Sequence, residues 1–203
     1  VGHGFHRYST DKEWLVPHFE KMLYDQAMML LAYTEAFRIT ERASFAETAR
    51  EIITYLERDL ISPEGAFFSA EDADSEGEEG VFYLWTDEQL IAVLGVDDAA
   101  VARAVWNTSP TGNFVPEAST KASIDNILHL KDDLKTVAQD LDLSENDLRS
   151  TLDRIKVSLL ESRSKRPRPL LDDKILTDWN GLMAAALARA GVVLEDPSYI
   201  RRA

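Results

Sequence analysis

The chain has no cysteine, which excludes disulfides, thiolate metal sites and thiol redox chemistry within its 203 residues. It lacks any apolar run near the roughly 20 residues that a membrane span needs, and it shows no secretory leader. No membrane partner is therefore expected, and cytoplasmic residence is the default. Positive charge is scarce. The 22 Lys and Arg residues face 36 Asp and Glu, and the formal charge of −14 argues against a nucleic-acid partner. An initiator Met is missing, and the C-terminal end follows shortly on Asp196-Pro197, a good cap and first-turn pair for a helix. The chain thus reads as one domain, 1–203, cut from a larger protein. Its hydrophobic content of 45% is enough for a real core.

Helical periods dominate what is present. A first helix is expected over residues 17–37, because Pro17 suits the first helical position and Phe19, Met22, Leu23, Gln26, Leu30, Tyr33 and Phe37 recur at three- and four-residue steps. A second, over 45–60, completes an αα-hairpin. The period then changes. Residues 66–70 and 81–85 are short aromatic, β-favouring runs flanking an acidic stretch, and they read as a β-hairpin with a long loop. Thr86 to Gln89 matches a capping box, with a helix ending near Gly95 and another reaching Trp106. A short strand is expected within 123–130, and helices over 131–138, 144–162 and 178–190, the last stopping at Gly191. The basic run 163–168 reads as a proline-broken, solvated loop. Asp178-Trp179-Asn180-Gly181 loosely echoes Asp25-Gln26-Ala27-Met28, which suggests stacked helical hairpins.

On this reading His18, Glu20, Tyr24 and Asp25 sit on the first turns of one helix. Imidazole titrates near neutrality and suits general acid or base work; a capping or core histidine is the plainer alternative. Glu20 fits a first turn by charge, and Asp25 is placed to pair with Lys21 one turn earlier. Glu71, Asp72, Asp74, Glu76, Glu78 and Glu79 crowd the acidic stretch. Asp72 to Gly77 matches the first half of an EF-hand loop, but the twelfth position is Tyr83, so a solvated loop is the preferred reading and no metal is expected. Glu71 and Asp72 lie nearest the apolar strand and are the acidic candidates for a pocket.

Four blocks carry a resemblance. They are Phe5-His6-Arg7-Tyr8-Ser9; Trp14 through Pro17-His18-Phe19-Glu20-Lys21-Met22-Leu23-Tyr24-Asp25; Ser69-Ala70-Glu71-Asp72-Ala73-Asp74; and Lys165-Arg166-Pro167-Arg168-Pro169 with Trp179-Asn180-Gly181-Leu182-Met183. In this order they resemble the YyaL-type, spermatogenesis-associated, thioredoxin-domain-containing family. The resemblance implies a mainly α fold, the early part of an (α/α)6 toroid of the six-hairpin glycosidase type, with a small inserted β-hairpin. It also implies a thioredoxin-like domain in the full-length protein and leaves self-association open. The function implied is a carbohydrate-active domain, epimerase-like or glycosidase-like, acting on a small-molecule sugar. Its candidate acid and base groups are His18, Glu20, Asp25, Glu71 and Asp72. The candidate sugar-binding residues are His6, Arg7, Tyr24, Tyr83, Trp85, Trp179 and Asn180, and no cofactor is expected. A non-catalytic scaffold serving the thioredoxin-like domain is the alternative.

Overall fold

A computed structural model describes residues 1–114 and 124–203. In chain order the elements are β1 (Lys21–Met22), α1 (Leu23–Thr40), α2 (Ala43–Tyr55) continuing into a π-helical turn (Leu56–Leu60), β2 (Ala70–Glu71), β3 (Asp74–Ser75) and β4 (Glu78–Glu79). There follow β5 (Trp85–Thr86), α3 (Asp87–Trp106), β6 (Asp125–Asn126), α4 (Leu134–Asp140), α5 (Glu145–Arg163), β7 (Leu171–Asp172), α6 (Thr177–Val193) and α7 (Pro197–Arg202). The chain is mainly α. Its contacts gather it into two compact units, one of residues 2–8, 17–79 and 169–203, the other of residues 1, 9–16 and 80–168.

In the first unit, α1 packs on both α2 and α6. Leu23, Ala27 and Leu30 of α1 meet Ala46, Ala49, Ile52 and Ile53 of α2 and Met183, Ala186, Leu187 and Ala190 of α6, all buried. The three- and four-residue spacing that predicted these helices is thus the spacing of the core. Chain reversal between α1 and α2 takes two residues, with Glu41 in the left-handed region at φ 55°. Helix α6 does not stop at Gly191. It runs on to Val193, and α7 lies against Gly191 so closely that a Cβ there would stand 2.5 Å from Ile200 Cγ1. The glycine serves close packing here rather than chain termination.

The strands depart furthest from expectation. Residues 17–20 are not helical, and Lys21–Met22 form an outer strand of a three-stranded sheet, antiparallel to β2, which also pairs with β7. A single hairpin joining 66–70 to 81–85 does not form. Instead the acidic stretch folds on itself, Asp74 pairing with Glu79 and Ser75 with Glu78 around Glu76 and Gly77. Both turn residues have positive φ, 56° and 85°, as a two-residue type I′ hairpin requires. This hairpin replaces any EF-hand geometry.

The second unit builds its own core from Leu90, Ala102 and Val105 of α3, Val137 of α4, and Leu148, Leu152, Ile155 and Leu159 of α5, with Trp85 beside them. The capping box at Thr86 and Gln89 is formed in both directions. Gly95, at φ 77°, interrupts α3 where the sequence predicted one helix to end and another to begin. Ser144 caps α5 by accepting from Asp147 N–H. Residues 81–83 form a turn, and only Trp85–Thr86 pair as a strand, with β6; Ser123 of the expected 123–130 strand lies outside the described residues. The basic run is not simply solvated. Arg166 lies 4.0 Å over the Trp85 ring and donates to the Phe82 and Leu84 carbonyls at 3.1 and 2.6 Å, while Arg163 is buried beneath Phe82 and Tyr83.

Candidate functional site

The polar cluster forms where the strand β1 approach, the segment 5–8 and the acidic hairpin converge within the first unit. His18 leads into β1, its backbone N–H donating to the Tyr8 carbonyl at 2.8 Å. Its ring Nδ1 is 2.7 Å from Glu79 Oε1, and the same oxygen accepts the Phe19 N–H at 3.1 Å. A carboxylate only accepts, so Nδ1 carries the proton and Nε2 is the ring atom left for exchange. That Nε2 stands 3.6 Å from Glu20 Oε2. Burial pushes the Glu79 carboxyl up, but the bonds from His18 and Phe19 outweigh it and hold Glu79 below its ordinary range.

Arg7 ties the remaining carboxylates together. Its Nη1 donates to Glu20 Oε2 at 3.1 Å, and its Nε lies 3.7 Å from Asp25 Oδ2. Burial raises the Asp25 carboxyl, Arg7 draws it down and Glu20 opposes Arg7, so Asp25 ends above its ordinary range. The guanidinium also faces the Tyr24 ring at 5.7 Å, and Tyr24 meets Trp179 edge-on at 4.8 Å between centroids. Tyr8 lies 5.2 Å from the His18 ring.

The structure therefore gathers His18, Glu20, Asp25, Arg7, Tyr24 and Trp179, though not on the first turns of one helix as expected. The expected Lys21–Asp25 pair presupposed helix at 21. Lys21 is instead buried in β1, its Nζ donating to the His3 carbonyl at 2.7 Å and lying over the Tyr55 ring. Glu71 is held in the interior, accepting from Tyr55 Oη at 3.0 Å, and Asp72 accepts the Ala73 N–H at 2.6 Å. The acidic-stretch residue that hydrogen-bonds His18 is Glu79. Nothing in its sequence context singles it out, since it is one of six acids in the stretch.

Of the other candidates, His6 points its Nδ1 at the Phe19 carbonyl, 2.8 Å away, and meets the Phe19 ring edge-on. Asn180 pairs both ends of its amide with the backbone of Phe67, at 2.8 and 3.0 Å, as a neighbouring strand would. Tyr83 and Trp85 belong to the second unit, where Trp85 is buried under Arg166. Among the described residues no group of three or more His, Asp or Glu is arranged to hold a metal ion, and no helix is long and apolar enough to cross a membrane.

No family model matches the chain. It is 38% identical to human spermatogenesis-associated protein 20 over its whole length and 28% of that protein's, and 37% identical to the rat protein of that name over 96% of the chain and 27% of the relative. The chain thus spans little more than a quarter of these relatives. Among solved structures, a D-mannose isomerase aligns over 98% of this chain and 44% of its own, at 15% identity and a TM-score of 0.34. The blocks around His18 and the acidic hairpin are parts of a match running the length of the chain, which belongs to the spermatogenesis-associated protein 20 family.

Proposed function

We propose that the chain contributes to a carbohydrate-active domain of the (α/α)6 epimerase or glycosidase type, with His18 as its central proton-transfer group. One observation carries this reading: a histidine whose Nδ1 is fixed by Glu79 and whose Nε2 faces a second carboxylate, Glu20, at 3.6 Å. An imidazole oriented through one nitrogen is set to take and return a proton through the other. Epimerisation beside a carbonyl requires that sequence. His18 takes the proton, the C–H electron pair passes into an enediolate whose charge rests on the former carbonyl oxygen, and a second acid, the role left to Glu20 or Asp25, gives a proton to the opposite face of the carbon. Half-buried Tyr24 and Trp179, next to Arg7, supply flat surfaces suited to a sugar ring.

The test is deuterium incorporation from heavy water at C2 of a panel of aldoses, followed by NMR with the longer protein that contains this chain. Exchange is expected with at least one aldose, falling by about 10²- to 10⁴-fold in His18→Ala while the helical signal is kept. Absence of exchange with every aldose, and of hydrolysis with every glycoside, overturns the reading. The scaffold alternative is favoured by Glu79 Oε1 bonding both His18 and Phe19 N–H, which makes the pair a latch between the acidic hairpin and the β1 approach. In that case the domain serves an attached thioredoxin-like domain without turnover.

A further inference from the structure

We infer that Gln26 is a positioning residue: buried on α1, it fixes the backbone of Phe5 and so sets where Arg7 meets Glu20 and Asp25. The inference rests on the reading of that cluster as the working site. Gln26 is 0% exposed, and its amide is used at both ends on one residue. Its Oε1 accepts the Phe5 N–H at 2.8 Å and its Nε2 donates to the Phe5 carbonyl at 2.7 Å. The side chain therefore acts as a one-residue strand partner for the segment 2–8. Two residues on, Arg7 N–H donates to the Glu20 carbonyl, and the guanidinium reaches Glu20 and Asp25. Asp25 immediately precedes Gln26 on α1, so one helix turn holds both the anchor of the segment and the acid that its arginine meets.

A long, partly exposed arginine side chain does not hold itself in one geometry, and its backbone anchor decides where it reaches. The segment has a second lock of a different kind. Gly4, at φ 73°, lies flat against Tyr55, whose ring would be 2.5 Å from a Cβ. The Phe5 ring also stacks on Tyr33 at 5.6 Å between centroids.

Asp25 reports the position of Arg7, since burial raises its carboxyl, Arg7 lowers it and Glu20 raises it. The test is a carboxyl-carbon NMR titration of Asp25 in the 203-residue chain. In Gln26→Leu, with the chain still helical by circular dichroism, the Asp25 midpoint is expected to rise by about one pH unit, the scale of losing a neighbouring guanidinium. Arg7→Gln should give the same rise, and the double variant no more than either. Gly4→Ala displaces the segment by the other lock and should move Asp25 the same way, so it decides the matter if Gln26→Leu does not fold. An Asp25 midpoint unmoved in a folded Gln26→Leu or Gly4→Ala chain overturns the inference. The titration is independent of turnover. If Asp25 follows Gln26 but no sugar reacts, the positioning role stands and the sugar reading falls; if sugar reacts and Asp25 does not move, the reverse holds.

Discussion

Two glycines of α6 show how residue-scale context sets the sign of a substitution. Gly181 has open space where a Cβ would go, whereas a Cβ on Gly191 would meet Ile200 Cγ1 at 2.5 Å, Ile200 N at 2.9 Å and the Asp196 carbonyl at 3.0 Å. Alanine gains roughly 1 kcal/mol of helix propensity over glycine at either place. At Gly181 nothing opposes that gain, so Gly181→Ala is expected to raise unfolding stability by up to about 1 kcal/mol, read as a higher urea midpoint. At Gly191 two of the three clashes are with backbone, and overpacking of this kind costs typically 1–3 kcal/mol. Gly191→Ala should lower the midpoint and loosen α7; a higher midpoint would show that α7 is free to move aside. The same scale explains which site residues were legible. His18, Glu20 and Asp25 stand out by type and closeness in sequence, and they do come together. Glu79 and Gln26 did not stand out, because one was hidden among like charges and the other counted as a polar member of an apolar stripe.

At the level of elements, helices were readable and strands only in part, β6 (Asp125–Asn126) falling within the expected 123–130, for a physical reason. Helix signals are local: the Thr86–Gln89 box, the Ser144 cap with Asp147 and the Asp196-Pro197 start all lie within one turn of what they determine. Each strand is two residues long, too short for an alternating pattern, and β1 finds its partner in Ala70–Glu71, which on its other edge pairs with Leu171–Asp172 far along the chain. Pro17 and the polar residues after it satisfied the rules for a helix start, and pairing from a distance overrode them. The contact between α1 and α6 also makes a prediction. Glu35 of α1 accepts from Arg189 of α6 and from Arg38 of its own helix, and these two arginines bring its carboxyl down to about 2 from an ordinary 4.5. A carboxyl lowered on folding contributes stability above its unfolded value and loses it as the pH falls through its folded value. Urea midpoints of the parent should therefore decline between about pH 4.5 and about 2. Glu35→Gln is expected to be less stable than the parent at neutral pH and to shed part of that decline. Identical slopes in the two proteins would remove Glu35 as a source of acid sensitivity.

For the molecule as a whole, the two hydrophobic clusters share no residue: one is built on α1, α2 and α6, the other on α3, α4 and α5. Alternating segments of the chain supply them, since the first unit takes residues 2–8, 17–79 and 169–203. Composition and periodicity do not separate them, because both clusters draw on the same residue types at the same helical spacing. What distinguishes them is the set of contacts, and that leads to an energetic test. Ile52 of the first cluster is 1% exposed and Ile155 of the second is 0% exposed. Trimming either to Val removes one buried methyl, at a typical cost of 0.5–1.5 kcal/mol. Substitutions without common neighbours add to within about 0.5 kcal/mol, whereas those in one packed cluster couple through shared repacking. The Ile52→Val, Ile155→Val double variant should accordingly lose the sum of the single losses in urea unfolding. Ile52→Val combined with Leu23→Ala, both in the first cluster, should depart from its sum. A departure above roughly 1 kcal/mol for the Ile52 and Ile155 pair would mean that the clusters repack as one, and the division of the chain into two cores would fail.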